Sequence, residues 1–239
     1  MAVGEANGIP CAAINDVAVW ERDNLDRVLE RWQRVIGPGR GVRKWLPGSV
    51  QPVNEEAGNK GYLVEKGIVA LTHERNDGRQ VFVALRRPGE MFGCGNLFLG
   101  AGLYISACAL TDVEVRVIDV QWLFEQIKKG GEAGLLVAHQ HERDLTEKAA
   151  ELRDVMHMDA SVRFQRLLIQ IAGVQQSGST KDAAIDLPLT DSQIASLLGI
   201  SAQQFSAVKR KLNRAGGAQY LKGRRAWIVS PSGAARGRN

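Results

Sequence analysis

The sequence predicts an α+β chain in three parts: a small antiparallel β-barrel or jelly roll, one long helix, and a compact C-terminal unit ending in a β-hairpin. Three observations predict it. Short apolar runs broken by turn signals fill residues 42–122, helical spacing returns near Val120, and two short capped helices stand between Leu189 and Arg214. The expected organisation is 1–126 for an N-terminal helix and barrel, 127–158 for the long helix, and 159–239 for the C-terminal unit with a disordered tail from Ser230.

Asn15 to Ile36 carries the first helical pattern. Val17, Trp20, Leu25, Val28, Leu29, Trp32 and Ile36 recur at helical spacing among charges, and Gly37-Pro38-Gly39 ends the run. Strands follow. Tyr62-Leu63-Val64 and Ile68-Val69-Ala70-Leu71 flank Glu65-Lys66-Gly67, which reads as a tight hairpin connection. Asn76-Asp77-Gly78 is a turn signal before Gln80 to Leu85, Pro88-Gly89 is the next turn, and Thr111-Asp112 separates Leu103–Leu110 from Val113–Ile118.

After Gly134 the pattern is helical. Leu145, Ala149, Leu152 and Met156 step by four, three and four, the spacing of a coiled-coil seam. Charged residues lie between them, so this narrow apolar stripe needs a partner, and a second copy of the helix is the expected one. Packing of the stripe on the chain's own barrel is the alternative. Asp159 then reads as the N-cap of a further helix bearing Val162, Phe164, Leu167, Leu168 and Ile171, which runs out at the polar loop 175–179.

The most informative stretch is Leu189 to Arg214. Thr190 caps a short helix with Gln193 as its capping-box partner, and Ile194, Leu197 and Leu198 form the apolar face. Ala195 is small where two helices must approach. Gly199 sits where a helix ends in the left-handed conformation. Ser201 caps a second helix buried through Phe205, Val208 and Leu212. Two short helices joined by a Gly-containing turn make a helix-turn-helix. Gln203, Gln204, Ser206, Lys209, Arg210 and Asn213 face outward on the second. Gln can pair with adenine edges in the major groove, and Lys209, Arg210, Lys211 and Arg214 are expected to reach phosphates. Gln219-Tyr220-Leu221 and Ala226–Val229 read as strands around Lys222-Gly223-Arg224-Arg225, a basic-tipped hairpin, or wing.

Charge agrees. Net charge is +5, but residues 159–239 hold twelve Lys/Arg against four Asp/Glu, while the rest holds nineteen against twenty-two. A basic C-terminal third on a slightly acidic body fits a polyanionic partner. The chain is 44% hydrophobic and 24% charged, as in soluble globular domains. No apolar run approaches the ~20 residues of a membrane span, and Met1–Cys11 lacks the basic and apolar parts of a secretory leader. No membrane partner and a cytoplasmic location are therefore expected. Cys11, Cys94 and Cys108 are too few and too scattered for a disulfide framework, which fits a reduced compartment.

With these parts in order, residues 43–229 resemble the cyclic-AMP receptor protein and fumarate-nitrate regulator (CRP/FNR) superfamily. The resemblance rests on Gly61-Tyr62-Leu63-Val64, Asn76-Asp77-Gly78-Arg79, Pro88-Gly89-Glu90-Met91-Phe92-Gly93, the long helix, and Leu189-Thr190 to Leu198-Gly199 with Ser201. It implies a cyclic-nucleotide-binding-like sensor barrel, a dimerisation helix and a winged helix-turn-helix. The implied function is a homodimeric transcription regulator, not an enzyme, with double-stranded promoter DNA and RNA polymerase as partners.

Two departures matter. Cyclic-nucleotide binders of the family hold the ribose with a Glu and the phosphate with an Arg. Here Cys94 stands in place of the Glu, and the place of the Arg falls near Leu103-Tyr104, with no Lys or Arg between Phe98 and Val113. Burying a phosphate without a cation is costly, so cyclic AMP is not expected, and Met91, Cys94, Leu97, Leu103 and Tyr104 line the pocket left for a less charged effector or none. Second, where many members begin the reading helix with Arg-Glu and place Arg one turn on, this chain has Ala202, Gln203 and Ala207, so the usual half-site does not carry over.

Other sensor chemistries are weighed on residue counts. Three dispersed cysteines do not supply the four thiolates of an iron-sulfur cluster. His139 and His141 on the long helix, with His73 and His157, leave haem open, and Cys94 between Gly93 and Gly95 leaves thiol redox open. A metal-dependent jelly-roll enzyme needs clustered His and carboxylates, and the barrel has one histidine, so no catalytic or metal residue is named. The remaining alternative is an effector-independent or architectural DNA-binding protein with a vestigial barrel.

Overall fold

Alternating apolar positions fold the described residues between 42 and 119 into eight strands: β1 (Val42–Trp45), β2 (Val50–Val53), β3 (Lys60–Lys66), β4 (Val69–Glu74), β5 (Gln80–Arg86), β6 (Met91–Phe92), β7 (Ile105–Ala109) and β8 (Val113–Asp119). The computed structural model describes residues 26–37, 41–53, 60–74, 80–94, 105–175, 183–215, 218–221 and 226–229. Within these, the strands make two four-stranded antiparallel sheets, ordered β1-β8-β3-β6 and β2-β7-β4-β5.

The barrel interior is apolar. Trp45, Tyr62, Val64, Val69, Leu71, Phe92, Ala107, Val113 and Val115 meet there. Phe92 stacks on Tyr62 at 5.2 Å between ring centroids, and Trp45 lies 5.7 Å from Tyr62 and 6.1 Å from Phe92.

One expected hairpin is corrected. β3 and β4 do not pair; they belong to different sheets, β3 with β8 and β6, β4 with β5 and β7. Gly67 explains it. Its φ of +82° redirects the chain between sheets, and a Cβ there would lie 2.2 Å from the Asp112 carbonyl oxygen. The Thr111-Asp112 corner returns the chain from β7 to β8 and packs on Gly67, with Ile68 N donating to Thr111 Oγ1 at 2.9 Å. The β4–β5 hairpin is present, paired from Val69↔Arg86 to Glu74↔Gln80; its Asn76-Asp77-Gly78 turn lies outside the described residues.

Helices cover the outside of the first sheet. A helix over residues 26–36 (α1), α2 (Val120–Lys128) and the start of α3 (Glu132–His157) bury Val28, Trp32, Ile36, Leu63, Met91, Ile118, Leu123, Leu136 and Val137 together. Val17, Trp20 and Leu25 of the expected longer N-terminal helix lie outside the described residues. The Asp119 side chain caps α2, accepting from Trp122 N at 2.8 Å. The long helix begins at Glu132 rather than 127, because Gly130 and Gly131 at φ +75° and +102° break it from α2.

The C-terminal part contains α4 (Ala160–Gln175), β9 (Ala183–Asp186), α5 (Asp191–Leu197), α6 (Ala202–Ala215), β10 (Ala218–Leu221) and β11 (Ala226–Val229). Its core centres on Phe164, which meets Trp227 at 4.7 Å and Phe205 at 5.1 Å, both edge-on. The outer side of the second barrel sheet, through Ile68, Ala70, Cys108 and Leu110, is continuous with this core. β9 was not expected from sequence; it pairs antiparallel with β11, which pairs with β10 in turn. No helix among the described residues is long and apolar enough to cross a membrane.

Candidate functional site

The helix pair α5/α6 is built as its sequence dictates. Thr190 Oγ1 accepts from Gln193 N at 3.3 Å, and Thr190 N donates to Gln193 Oε1 at 2.8 Å. Gly199 takes φ +65° and turns the chain. A second reciprocal cap follows, Gln204 N to Ser201 Oγ at 3.2 Å and Ser201 N to Gln204 Oε1 at 2.8 Å. Phe205, Val208 and Leu212 bury one face of α6.

The outer face of α6 separates into distinct roles. Gln203 and Arg210 are exposed. Gln204, expected among the base readers, is engaged as a cap. Ser206 Oγ donates back to the Ala202 carbonyl at 3.1 Å. Asn213 Oδ1 accepts from Tyr220 N at 3.0 Å and ties α6 to β10. Lys209 ion-pairs with Asp191, and Lys211 reaches Asp159 Oδ2 at 2.9 Å. Arg224, with the hairpin tip, lies outside the described residues.

Asp159 anchors the joint between α3 and α4. Its Oδ1 accepts from Ser161 Oγ at 2.6 Å and Ser161 N at 2.8 Å. Those bonds and the Lys211 ammonium hold its carboxyl well below the usual carboxylate range.

The long helix has two unlike faces. Leu145, Leu152 and Met156 are 72%, 64% and 68% exposed, and Ala149 is exposed beside them. The stripe therefore does not pack on the chain's own barrel. Leu135, also exposed, lies two heptads before Ala149, with Glu142 at the position between them; the sequence reading did not include Leu135.

The opposite face holds an ion cluster that sequence reasoning also missed. Glu90, buried in the β5–β6 turn, pairs with Arg87 at 3.2 Å and with Arg143 of α3. Glu147 Oε1 accepts from Arg87 at 2.5 Å and from Arg143 Nε at 3.1 Å. Burial pushes the Glu147 carboxyl up, but Arg87 and Arg143 outweigh it and hold it below the ordinary range. Arg86 makes a bidentate pair with Asp144, both bonds 2.9 Å. Gln140 clamps the Met91 backbone, donating to its carbonyl at 2.7 Å and accepting from its N–H at 2.8 Å.

Two of the residues expected to line the barrel pocket, Met91 and Cys94, lie among the described residues. β6 alternates, so Phe92 points into the barrel and Met91 points the other way, into the cluster with Trp32, Leu63 and Leu136. Met91 is thereby removed from the expected lining. Leu97, Leu103 and Tyr104 lie outside the described residues. Cys94 is half-buried, its thiol bonded weakly to the Phe92 carbonyl at 3.9 Å. Burial pushes that thiol up to about 12, which keeps it protonated at neutral pH and argues against a reactive thiolate. Gly61 makes room for it: a Cβ there would lie 2.3 Å from Cys94 Sγ. His139 is half-buried and His141 exposed on α3. Among the described residues no three His, Cys, Asp or Glu side chains cluster as metal ligands.

Comparison with known proteins agrees with this architecture. Residues 43–129 match the family model of the cyclic nucleotide-binding domain. A CRP-like cAMP-activated global transcriptional regulator of Mycobacterium tuberculosis is 26% identical over 151 residues, which is 62% of this chain and 66% of that relative. The chain thus spans just under two thirds of that relative's length. Among solved structures, a CRP/FNR-family transcriptional regulator from Thermus thermophilus superposes with a TM-score of 0.62 at 19% identity, covering 82% of this chain and 100% of that one. FixK2 from Bradyrhizobium japonicum gives 0.60 at 17% identity, over 84% of this chain and 98% of that one.

Proposed function

We propose that this chain, whose residues 43–129 match the cyclic nucleotide-binding domain model and which is 26% identical over 151 residues to a CRP-like regulator, is a homodimeric, sequence-specific DNA-binding transcription regulator acting in the cytoplasm with RNA polymerase. The observation that carries this reading is α6. It is capped twice over, buried through one apolar face on α4 and the β-hairpin, and exposed through Gln203 and Arg210. That is the form of a helix that enters a major groove, with Gln203 able to pair with an adenine edge and Arg210 able to meet a phosphate. The exposed stripe Leu145, Ala149, Leu152 and Met156 supports a dimer, which would present two such helices to two half-sites.

The barrel is proposed to bind no cyclic AMP, because Gly93 to Ser106 contains no cation. A second reading, a barrel that takes no effector at all, is favoured by the packing of Trp45, Tyr62 and Phe92 across its interior. Calorimetry and thermal shift with cyclic AMP and cyclic GMP test both; micromolar binding of either refutes them.

The DNA reading is tested by selecting the full-length protein against a random duplex library. A motif of two half-sites about 10 base pairs apart is expected. Gln203→Ala should then lower preference at one position of each half-site by about 1–3 kcal/mol. An unenriched library would refute the reading.

A further inference from the structure

Lys209 stands on the outer half of α6 among the basic residues, yet its side chain is only 19% exposed. Three neighbours account for that. Its ammonium ion-pairs with Asp191, the first residue of α5. It lies 5.5 Å from the centroid of the Phe205 ring on its own helix and 5.1 Å from that of Tyr220 on β10. One cation thus joins both helices of the pair and the first strand of the hairpin, over two aromatic faces that favour it. Arg210, the next residue, is exposed.

We propose that Lys209 is a positioning residue of the DNA-binding unit and not a phosphate contact: with Asp191, Phe205 and Tyr220 it fixes α6 against α5 and β10. This deepens the DNA-binding reading and rests on it for its DNA consequences. One carboxylate oxygen of Asp191 and two ring faces already occupy the ammonium, so phosphate would have to displace Asp191. The carboxylate of Asp191, about half exposed, in turn contributes a negative charge beside the helix proposed to meet DNA.

The two roles predict different counts of released counterions. Each phosphate neutralised by a side chain adds about 0.9 to the slope of log affinity against log salt. Binding of full-length protein to a fluorescein-labelled 30-base-pair duplex of random sequence, followed by anisotropy across a salt series, reads that slope. Lys209→Met should leave it unchanged, Arg210→Ala should lower it by about one, and Asp191→Asn, which frees the ammonium, should raise it by about one. A slope lowered by one in Lys209→Met, or left unchanged in Asp191→Asn, overturns the proposal.

A second measurement needs no DNA. Lys209→Met and Asp191→Asn should each lower the melting temperature by about 1–3 °C, and the double variant by no more than the larger single effect, while Lys209→Arg restores most of the loss. Additive single effects overturn the positioning role. If wild-type protein binds no duplex while the melting cycle shows coupling, the DNA-binding reading falls and the contact set stands.

Discussion

The two faces of α3 reverse the usual arrangement of an amphipathic helix. Its middle turns toward the barrel with Gln140, Arg143, Asp144 and Glu147, all engaged by the β5–β6 region, and away from it with Leu145, Ala149, Leu152 and Met156. A monomeric helix buries its apolar side and solvates its charges. Here ion pairs fasten the helix to its own barrel, and that leaves the apolar side exposed, where the proposed dimer would cover it. The difference teaches that one helix can be fixed to its own barrel by ion pairs on one face while leaving an apolar face exposed on the other, so each face can be broken without the other.

Breaking the apolar side is expected to have the largest effect. In the proposed dimer, Leu145→Lys with Leu152→Lys removes four apolar side chains from a symmetric seam. At about 1.5 kcal/mol each, the dimer should weaken by about four decades in dissociation constant. Sedimentation equilibrium reads this, while the melting behaviour of the protomer should barely change. A double variant that still sediments as a dimer at micromolar concentration refutes the seam.

Breaking the polar side should cost less and act on folding. Glu90→Gln takes the buried Glu90 carboxylate from buried Arg87 and half-buried Arg143, and should destabilise the chain by about 3 kcal/mol in urea unfolding. Dimer dissociation of the folded variant should change far less than in the leucine variant.

The smallest effect sharpens the same contrast through pH. The Glu147 carboxyl is held low in the folded chain by Arg87 and Arg143, after burial has worked the other way. Its contribution is therefore complete above the ordinary carboxylate pKa and disappears as pH falls through the lower folded value. Asp159, held low by Ser161 and Lys211, has the same sign. The urea midpoint should fall between about pH 6 and about pH 3, and Glu147→Gln should flatten part of that fall. An unaltered pH profile in Glu147→Gln would remove the carboxyl from the account.

Residues close in sequence were read well. The Thr190–Gln193 capping box, the Ser201 cap, the Gly199 turn and the heptad stripe are patterns three to seven residues long, and the side-chain periods that create them are properties of the helix itself; Gln204, expected to face bases, closes the second box instead. β9 escaped because it is four residues long, Ala183–Asp186, and its one large apolar residue, the buried Ile185, makes no alternating pattern. The β3–β4 hairpin was misread because a glycine turn between two apolar runs looks the same whether the strands pair or separate into two sheets. Only the packing of Gly67 against Asp112 distinguishes them.

By itself the sequence determined the α+β class, the two capped helices, the heptad spacing of the apolar stripe and the absence of Lys and Arg between Phe98 and Val113. These follow from local conformational preference and from charge, which need no tertiary partner. Tertiary structure alone decided that Glu90 meets Arg143, that Met91 turns away from the barrel interior, and that Lys209 is held by Asp191 and Tyr220. Those partners lie 11 to 53 residues apart in sequence, and a charge or an apolar side chain carries no mark of which distant group will take it out of water.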